Sequence, residues 1–580
     1  MSLRICLVTP FSWSQPNEAN EHVAGIAEAL RRREHDVTVL APSGRAADLL
    51  AGRRALARGE LGDLVALGRA VPISRHSRVG VPVGVRANLA LALQRGGFDV
   101  VHAIDPGLPS LSYLALLEAE TLTAATFLST DRLGYPTRRT RREKLLARID
   151  ALLAVSPEVA SLAAERFPGD FELLPLGVDT SRFAPGRKRQ LIAVEVRVDA
   201  LPVARAVLRG LRTLPGWDVA LVRTTPLATR PAIPLSVRDR VHVRSLVRVE
   251  SRAALLAEAE ILVPAAEGST RLRLEAMAAG CAIAAPPGVI DQPELAAAAV
   301  ARLAEDEPFR LSEQEASRAA AEVQSFDRAA AELEAVYGRI GDRRRGHRKG
   351  SEPLADRDWI VADLHMHTSY SSDCSIPVGD LLDHAEAEGL GAIAVTDHNV
   401  FAGAVEAAKL AHGRTLIVIP GEEVKTDTQG EVIGLFLEEE VPRGMSFSDT
   451  VAAIREQGGL VYLPHPFDRM HAIPDPATLH RHLPEIDVFE VYNARLLFDG
   501  YNDEALRFAT KYGLLAGAGS DAHVLPGVGT GALRLRRFDG PEEFLLSLRS
   551  AEVLRRPKSL AYLQSLKWVA QAKEKFTPAS

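Results

Sequence analysis

From Trp359 onward the chain alternates short apolar runs with helical patterns, and nearly every run ends on a histidine or an acidic residue. Strands are predicted at Ile360–Leu364, Ala392–Thr396, Leu416–Ile419, Val432–Leu437, Leu460–Leu463, Val488–Val491 and Leu514–Ala518. Alternation of this kind predicts βαβ units with largely parallel pairing. In α/β barrels the chemistry sits at the C-terminal ends of the strands, so ligand-type residues at those ends predict an active site.

The first such end reads His365-Met366-His367. Side chains two apart on a strand share a face, so both imidazoles can reach one metal ion. Such a pair alone is a weak signal. Five more clusters follow: Asp373 in Ser371-Ser-Asp-Cys374, Thr396-Asp-His398, Pro420-Gly-Glu-Glu423, Pro464-His-Pro-Phe467 and Ser520-Asp-Ala-His523. Six clusters of hard and borderline ligands, each closing a strand, make a metal centre the expected reading.

At 580 residues the chain exceeds what one core can organise, so several domains are expected. A net charge of −6 gives no general reason to expect a nucleic-acid or anionic-membrane partner. Cys6, Cys281 and Cys374 are scattered, which argues against a disulfide framework and against a thiolate zinc site. The opening apolar run stops at Pro10 and reads as a buried strand, not as a signal peptide. No window approaches a membrane span, and a cytoplasmic protein is expected. Before the basic stretch Gly341-Asp-Arg-Arg-Arg-Gly-His-Arg-Lys-Gly350, read as a linker, a second βα series begins with Arg4–Thr9 and Asp36–Leu40 and continues to Ile261–Val263. Gly177-Val-Asp-Thr-Ser-Arg-Phe183 interrupts it near the middle, so two Rossmann-like halves are expected, with a helical stretch Ser312–Arg339 packing back across them.

The later clusters occur in the order found in the PHP (polymerase and histidinol phosphatase) family, which this segment resembles over about 190 residues. The resemblance implies a distorted seven-stranded β/α barrel that binds two or three divalent metals (manganese, zinc or iron). It implies that His365, His367, Glu423 and Asp521 hold one metal, and that Asp373, His398 and His523 hold a second. His465 would hold a third, with Glu423 bridging; Glu423 is preferred to Glu422 because the family pattern is Pro-Gly-x-Glu. Many members carry a further histidine shortly after this glutamate, where Gly430-Glu-Val-Ile-Gly-Leu435 has none. Either Glu431 substitutes for it or the third site is weak or empty.

Such metals acidify bound water and clamp a phosphoryl group, so hydrolysis of a phosphate ester is the expected chemistry. Arg469 and Arg495 are the candidates to hold the phosphate. Asp397 either orients a metal ligand or caps a strand end. His384, His412, His471, His480 and His482 read as surface or core residues, with contact to substrate an alternative for His471.

Residues 1 to about 340 resemble a retaining, family-4 GT-B glycosyltransferase of the phosphatidylinositol mannosyltransferase group. The likeness is carried by Arg4-Ile-Cys-Leu-Val-Thr-Pro-Phe-Ser-Trp13, Glu21-His-Val-Ala-Gly25, Leu176-Gly-Val-Asp-Thr-Ser-Arg-Phe183 and Glu267-Gly-Ser-Thr-Arg-Leu-Arg-Leu-Glu275. It implies two Rossmann-like domains around a nucleotide-sugar cleft. Several catalytic features are missing. The phosphate-binding glycine loop reads Asn17-Glu-Ala-Asn20, and Leu128 stands where active members have histidine. Of the Arg/Lys pair only Arg197 remains. Glu267 and Glu275 keep the family's spacing and would lie near sugar and ribose; alternatively both simply favour a helix N-terminus.

Together these readings give an α/β chain: GT-B domains over 1–185 and 186–340, a linker over 341–358, the barrel over 359–553 and a tail over 554–580. Ser559–Phe576 has helical spacing and three lysines, reading as a helix on the barrel or, alternatively, on a membrane surface. The expected function is a metal-dependent phosphoesterase fused to a catalytically degraded transferase-like module. Its substrate would be a phosphorylated small molecule, a nucleotide or a short oligonucleotide. One alternative is an active nucleotide-sugar transferase with an accessory phosphatase. Another is a non-catalytic nucleotide-sensing or partner-binding module that regulates the barrel.

Overall fold

A computed structural model describes residues 2–72, 78–80, 84–197, 200–223, 231–246, 248–265, 271–288, 291–344 and 354–556. Glu267 and the helix expected over Ser559–Phe576 lie outside them, as does most of the basic linker. The chain forms two compact units, one of Met1–Leu145 with Ala151–Gly338 and one of Leu146–Asp150 with Arg339–Ser580. Among the described residues no helix is long and apolar enough to cross a membrane.

The first unit holds two sheets. In the larger, Arg4–Val8 is central, with Asp36–Ser43, Leu64–Pro72 and Arg78–Gly80 to one side. Val100–Ile104, Leu122–Phe127, Ala151–Ala154 and Phe171–Leu173 follow on the other. Strand order reverses at Arg4–Val8, the doubly wound arrangement that opens a crevice at the strands' C-terminal ends. The second sheet is parallel, in the order Val241–Ser245, Asp218–Arg223, Arg189–Glu195, Ala259–Val263, Ala282–Ile283. Helices cover both faces, so strands such as Val100–Ile104 are buried along their whole length and show no alternation. These are the two Rossmann-like halves of a GT-B fold. The helical stretch expected over Ser312–Arg339 is two helices, Glu307–Val323 and Phe326–Gly341. The first begins earlier than expected because Asp306 caps it, accepting from the Phe309 amide at 3.0 Å, with Pro308 in the first turn.

The second unit is a distorted β/α barrel. Its strands run in the order Leu515–Gly519, Val488–Asn493, Leu460–Leu463, Glu431–Leu435, Ile417–Lys425, Ala392–Val395 and Trp359–Met366. Two antiparallel strands with no counterpart among the expected ones, Gly531–Arg536 and Glu552–Arg555, continue beyond the last. The two ends of the seven-strand series meet through backbone hydrogen bonds. Asp521 N donates to His365 O at 2.8 Å, and His367 N donates to Ala522 O at 3.1 Å. Glu431–Leu435 runs antiparallel to both neighbours, because the tight return ending at Gly430 (φ +83°) leaves no chain for a parallel crossover. Leu364, Ile419, Ile433, Tyr462 and Leu533 belong to the buried core.

Candidate metal centre

The predicted ligands lie at or near strand ends, except Glu423 within Ile417–Lys425 and Asp373 in the turn after Trp359–Met366, and the structure brings all eight together. Glu423 is central. Its Oε2 lies 3.3 Å from His365 Nε2, 3.5 Å from His367 Nε2 and 3.0 Å from His398 Nδ1, and its Oε1 lies 3.1 Å from His465 Nε2. Asp521 Oδ1 is 3.4 Å from His367 Nε2, and Asp373 Oδ2 is 2.9 Å from His523 Nε2. Asp373 Oδ1 is 3.8 Å from His398 Nε2. His465 and Asp521 hold left-handed backbone conformations (φ 26° and 51°), strain of a kind that collects at functional sites. Glu422 takes no part: strand alternation turns it the other way, where it accepts from Val441 N at 2.9 Å.

The chemistry of the donor set fits a cation, and His367 shows why. Ser371 Oγ has one proton and two lone pairs. It donates to Asp397 Oδ1 at 2.8 Å and accepts from His398 N at 3.0 Å, so it must also accept from His367 Nδ1 at 3.2 Å. His367 therefore carries its proton on Nδ1, and the Nε2 lone pair points into the interior without a hydrogen-bond partner. The oxygens nearest to it, on Glu423 and Asp521, are acceptors too. A lone pair converging with two carboxylate oxygens is the kind of donor set that a cation can fill.

The electrostatics separate the histidines. Burial and the adjacent His523 push the His367 imidazole well below its usual range, so it stays neutral. Burial works against the charged forms of His398 and His465, yet Glu423 outweighs it and raises both to about 9. Burial likewise opposes ionisation of Glu423, but His365 and His398 hold its carboxyl well below the usual range. For Asp521, Arg495 and His365 outweigh burial in the same way.

Surrounding side chains fix these ligands. Asp397 faces Thr368, whose amide and hydroxyl both donate to it at 2.7 Å, and it reaches His367 through Ser371. Arg495 reaches the cluster directly, with Nη1 at 3.0 Å from Asp521 Oδ1 and 3.2 Å from His523 Nε2. Arg469 is half-buried in the turn after His465. His471, read from sequence as a surface or core residue, pairs with Asp468 at 2.7 Å, and its ring centre is 5.6 Å from that of His465.

Two buried carboxylates escape the sequence reading. Glu490 accepts four bonds: from His365 Nδ1 at 3.0 Å, Tyr462 Oη at 2.9 Å, His465 N at 2.6 Å and Asn493 Nδ2 at 3.1 Å. Asp363 accepts from the amides of Ser520 and Gly529, each at 2.9 Å, and burial pushes its carboxyl up to about 6. The available signal was an acid inside an otherwise apolar strand, in Val361-Ala-Asp-Leu364 and Val488-Phe-Glu-Val491. Space is tight here as well: a Cβ on Gly519 would meet His365 Cβ at 2.3 Å. Gly519→Ala is therefore expected to destabilise the fold by about 1–3 kcal/mol. Chemical denaturation checks this, and an unchanged midpoint would contradict the packing described.

In the first unit a cleft of about 370 Å³ is lined by Glu21, Arg32, Asp179, Arg271, Glu275 and Phe326, among others. Glu275 is buried and engaged by Arg252, whose Nε and Nη2 donate to it at 2.7 and 2.9 Å. Arg252 Nη2 also reaches Glu21 at 2.6 Å, on the helix Glu18–Arg32 of the other Rossmann-like half. Asn17, where a phosphate-binding glycine loop would lie, caps that helix by accepting from Ala19 N at 2.9 Å. Asn20 is occupied with Thr9 and Ser12. Arg197 is exposed just beyond the strand Arg189–Glu195.

Fold and site thus define a two-module protein with a β/α barrel built around clustered side chains that could hold metal ions. Residues 363–481 match the PHP domain and 499–553 the PHP-associated region, while 19–182 match Glycosyltransferase Family 4. The chain belongs to the PHP family through its second unit and carries a family-4 glycosyltransferase region in its first. It is 35% identical over 214 residues to Uncharacterized protein MJ0417 of Methanocaldococcus jannaschii, covering 35% of this chain and 85% of that protein. To Phosphatidyl-myo-inositol mannosyltransferase of Propionibacterium freudenreichii it is 34% identical over 166 residues, covering 28% of this chain. The chain spans less than half of that mannosyltransferase, 42% of its length. The crystal structure of a glycosyltransferase from Rickettsia africae matches 58% of this chain and 98% of its own, at 12% identity and a TM-score of 0.38.

Proposed function

We propose that the second unit hydrolyses phosphate esters with divalent cations held by His365, His367, Asp373, His398, Glu423, His465, Asp521 and His523. The observation that carries this reading is the buried lone pair of His367 Nε2, facing carboxylate oxygens of Glu423 and Asp521. Bound cations supply Lewis acidity toward the phosphoryl group and acidify water. Arg495 stands beside Asp521 and His523, where its remaining donors can hold a phosphoryl oxygen. Arg469, in the turn after His465, is the second candidate for that task. Asp397, through Ser371, keeps the His367 proton on Nδ1, and Glu490 orients His365 and the backbone of His465. The net reaction adds water across the P–O bond, releasing an alcohol and phosphate.

For the first unit we propose a ligand- or partner-binding module that has lost transfer chemistry. Glu275, which would meet a ribose, is taken by Arg252, and asparagine side chains fill the glycine-loop position. A cleft of about 370 Å³ favours retained binding, including binding of a nucleotide that gates the barrel.

Phosphate release by the purified full chain tests the main proposal, across nucleotides, short oligonucleotides, sugar phosphates and inositol phosphates, each with manganese and with zinc. Hydrolysis of at least one class is expected, together with retained metal. A His367→Ala, Asp521→Ala double variant that kept both properties would sink it. Turnover of a UDP- or GDP-sugar that depended on Arg197 would overturn the reading of the first unit.

A further inference from the structure

Two asparagines, Asn493 and Asn502, are buried beside the cluster without belonging to its ligand set. Asn493 ends the strand Val488–Asn493, whose register with Leu515–Gly519 slips between Glu490 and Tyr492. Residues an odd number apart on a regular strand face opposite ways, and such a slip re-aims one of them. Past it, the Asn493 side chain shares a face with Glu490. Its Nδ2 donates to Glu490 Oε2 at 3.1 Å and to Asp521 Oδ2 at 3.3 Å. Its Oδ1 accepts from Arg495 N at 2.9 Å, the turn in which an asparagine oxygen takes the amide two residues on. That bond fixes where the Arg495 side chain leaves the backbone.

The backbone of Asn493 is held in its turn. The neighbouring strand Leu460–Leu463 pairs with this one through Val488 and Phe489 and stops short of Asn493. Asn502, early in the helix Asp499–Tyr512, supplies what a strand would have supplied. Its Oδ1 accepts from Asn493 N at 2.9 Å, and its Nδ2 donates to Asn493 O at 3.1 Å. A side-chain amide offers the same donor and acceptor as a peptide, so one residue satisfies both buried groups.

We propose that Asn502 is a positioning residue for Arg495, acting through Asn493. The inference rests on the phosphoesterase reading above and deepens it. Asn502 sets the end of the strand, and Asn493 passes that position to the Arg495 amide. The Arg495 guanidinium, beside Asp521 and His523, then meets the phosphoryl group in a fixed orientation. The PHP-associated region, which contains Asn502, thereby contributes to substrate binding without touching substrate.

The test is steady-state hydrolysis by manganese-loaded, full-length protein, on a phosphate ester that the native chain turns over. Inorganic phosphate serves as competing ligand, and metal content is measured alongside. Asn502→Ser is expected to raise KM and the phosphate inhibition constant on the order of 10-fold, with kcat and metal content nearly unchanged. In an Arg495→Met background the same substitution is expected to add little, because the group it positions is gone. A lowered thermal midpoint with an unchanged KM overturns the proposal, and so do effects that multiply across the pair. Asn502→Asp keeps the acceptor for the Asn493 amide and loses only the donor to its carbonyl. It reads the same split between KM and kcat if the serine variant does not fold. No hydrolysis of any phosphoester class by native protein removes the underlying reading together with this role. Native hydrolysis with unmoved Asn502 variants removes this role alone.

Discussion

Glu423→Gln is expected to lower phosphoester hydrolysis by about 10³-fold and to strip metal from the protein. One carboxylate faces four imidazoles, His365, His367 and His398 through Oε2 and His465 through Oε1. The amide that replaces it can accept from only one side, and it turns an N–H donor toward nitrogens whose lone pairs a cation needs. Losing several kcal/mol of charge stabilisation at the phosphoryl group corresponds to roughly that factor, at about 1.4 kcal/mol per tenfold. Metal analysis and single-turnover phosphate release measure the two effects. Added manganese should not restore the rate, because the ligand itself is gone. A variant that kept its metal and its rate would refute the central role of Glu423.

Glu490→Gln is expected to weaken metal binding by roughly 10–100-fold, the usual cost of removing a group that orients a ligand. Four donors surround this carboxylate, from His365, Tyr462, His465 and Asn493. Glutamine offers one oxygen, so its NH2 group must confront two of those donors in the interior. Each unmet donor costs about 1–3 kcal/mol, and a clear fall in thermal midpoint should accompany the weaker binding. Here excess manganese should recover much of the activity, since every proposed ligand remains. Titration calorimetry and thermal unfolding separate the two variants. Failure of metal to rescue Glu490→Gln would mean that Glu490 takes part in the chemistry itself.

The strands of both units were legible because buried parallel strands are continuous apolar runs that cannot be mistaken for amphipathic helices at their length. Leu460–Leu463 agrees with expectation to the residue. Gly531–Arg536 was missed because Arg534 and Arg536 interrupt a short and otherwise mostly buried run, and Glu552–Arg555 because it is only four residues long and half-exposed. The break between Glu307–Val323 and Phe326–Gly341 was missed because Gln324-Ser325 carries no proline or glycine to announce it. At the site, the eight ligand candidates stood out as histidines and acids grouped at strand ends. Glu490 did not, since its meaning lies in partners such as His365, 125 positions away in the chain. The role of Arg252 was equally invisible, because nothing local links it to Glu275 or Glu21.

The two backbone bonds that bring the last strand of the barrel to the first are made by His365, His367, Asp521 and Ala522. Foldability and chemistry therefore share the same residues in this unit. The bonds themselves run between backbone atoms, so drift that replaced the ligand side chains would leave the closure of the barrel in place. In the first unit, the glycine-loop position and the cleft glutamate lie on helices and loops outside the ladders of both sheets. Its architecture can outlive its chemistry, and a lineage can keep that scaffold for a new use long after the original reaction is lost.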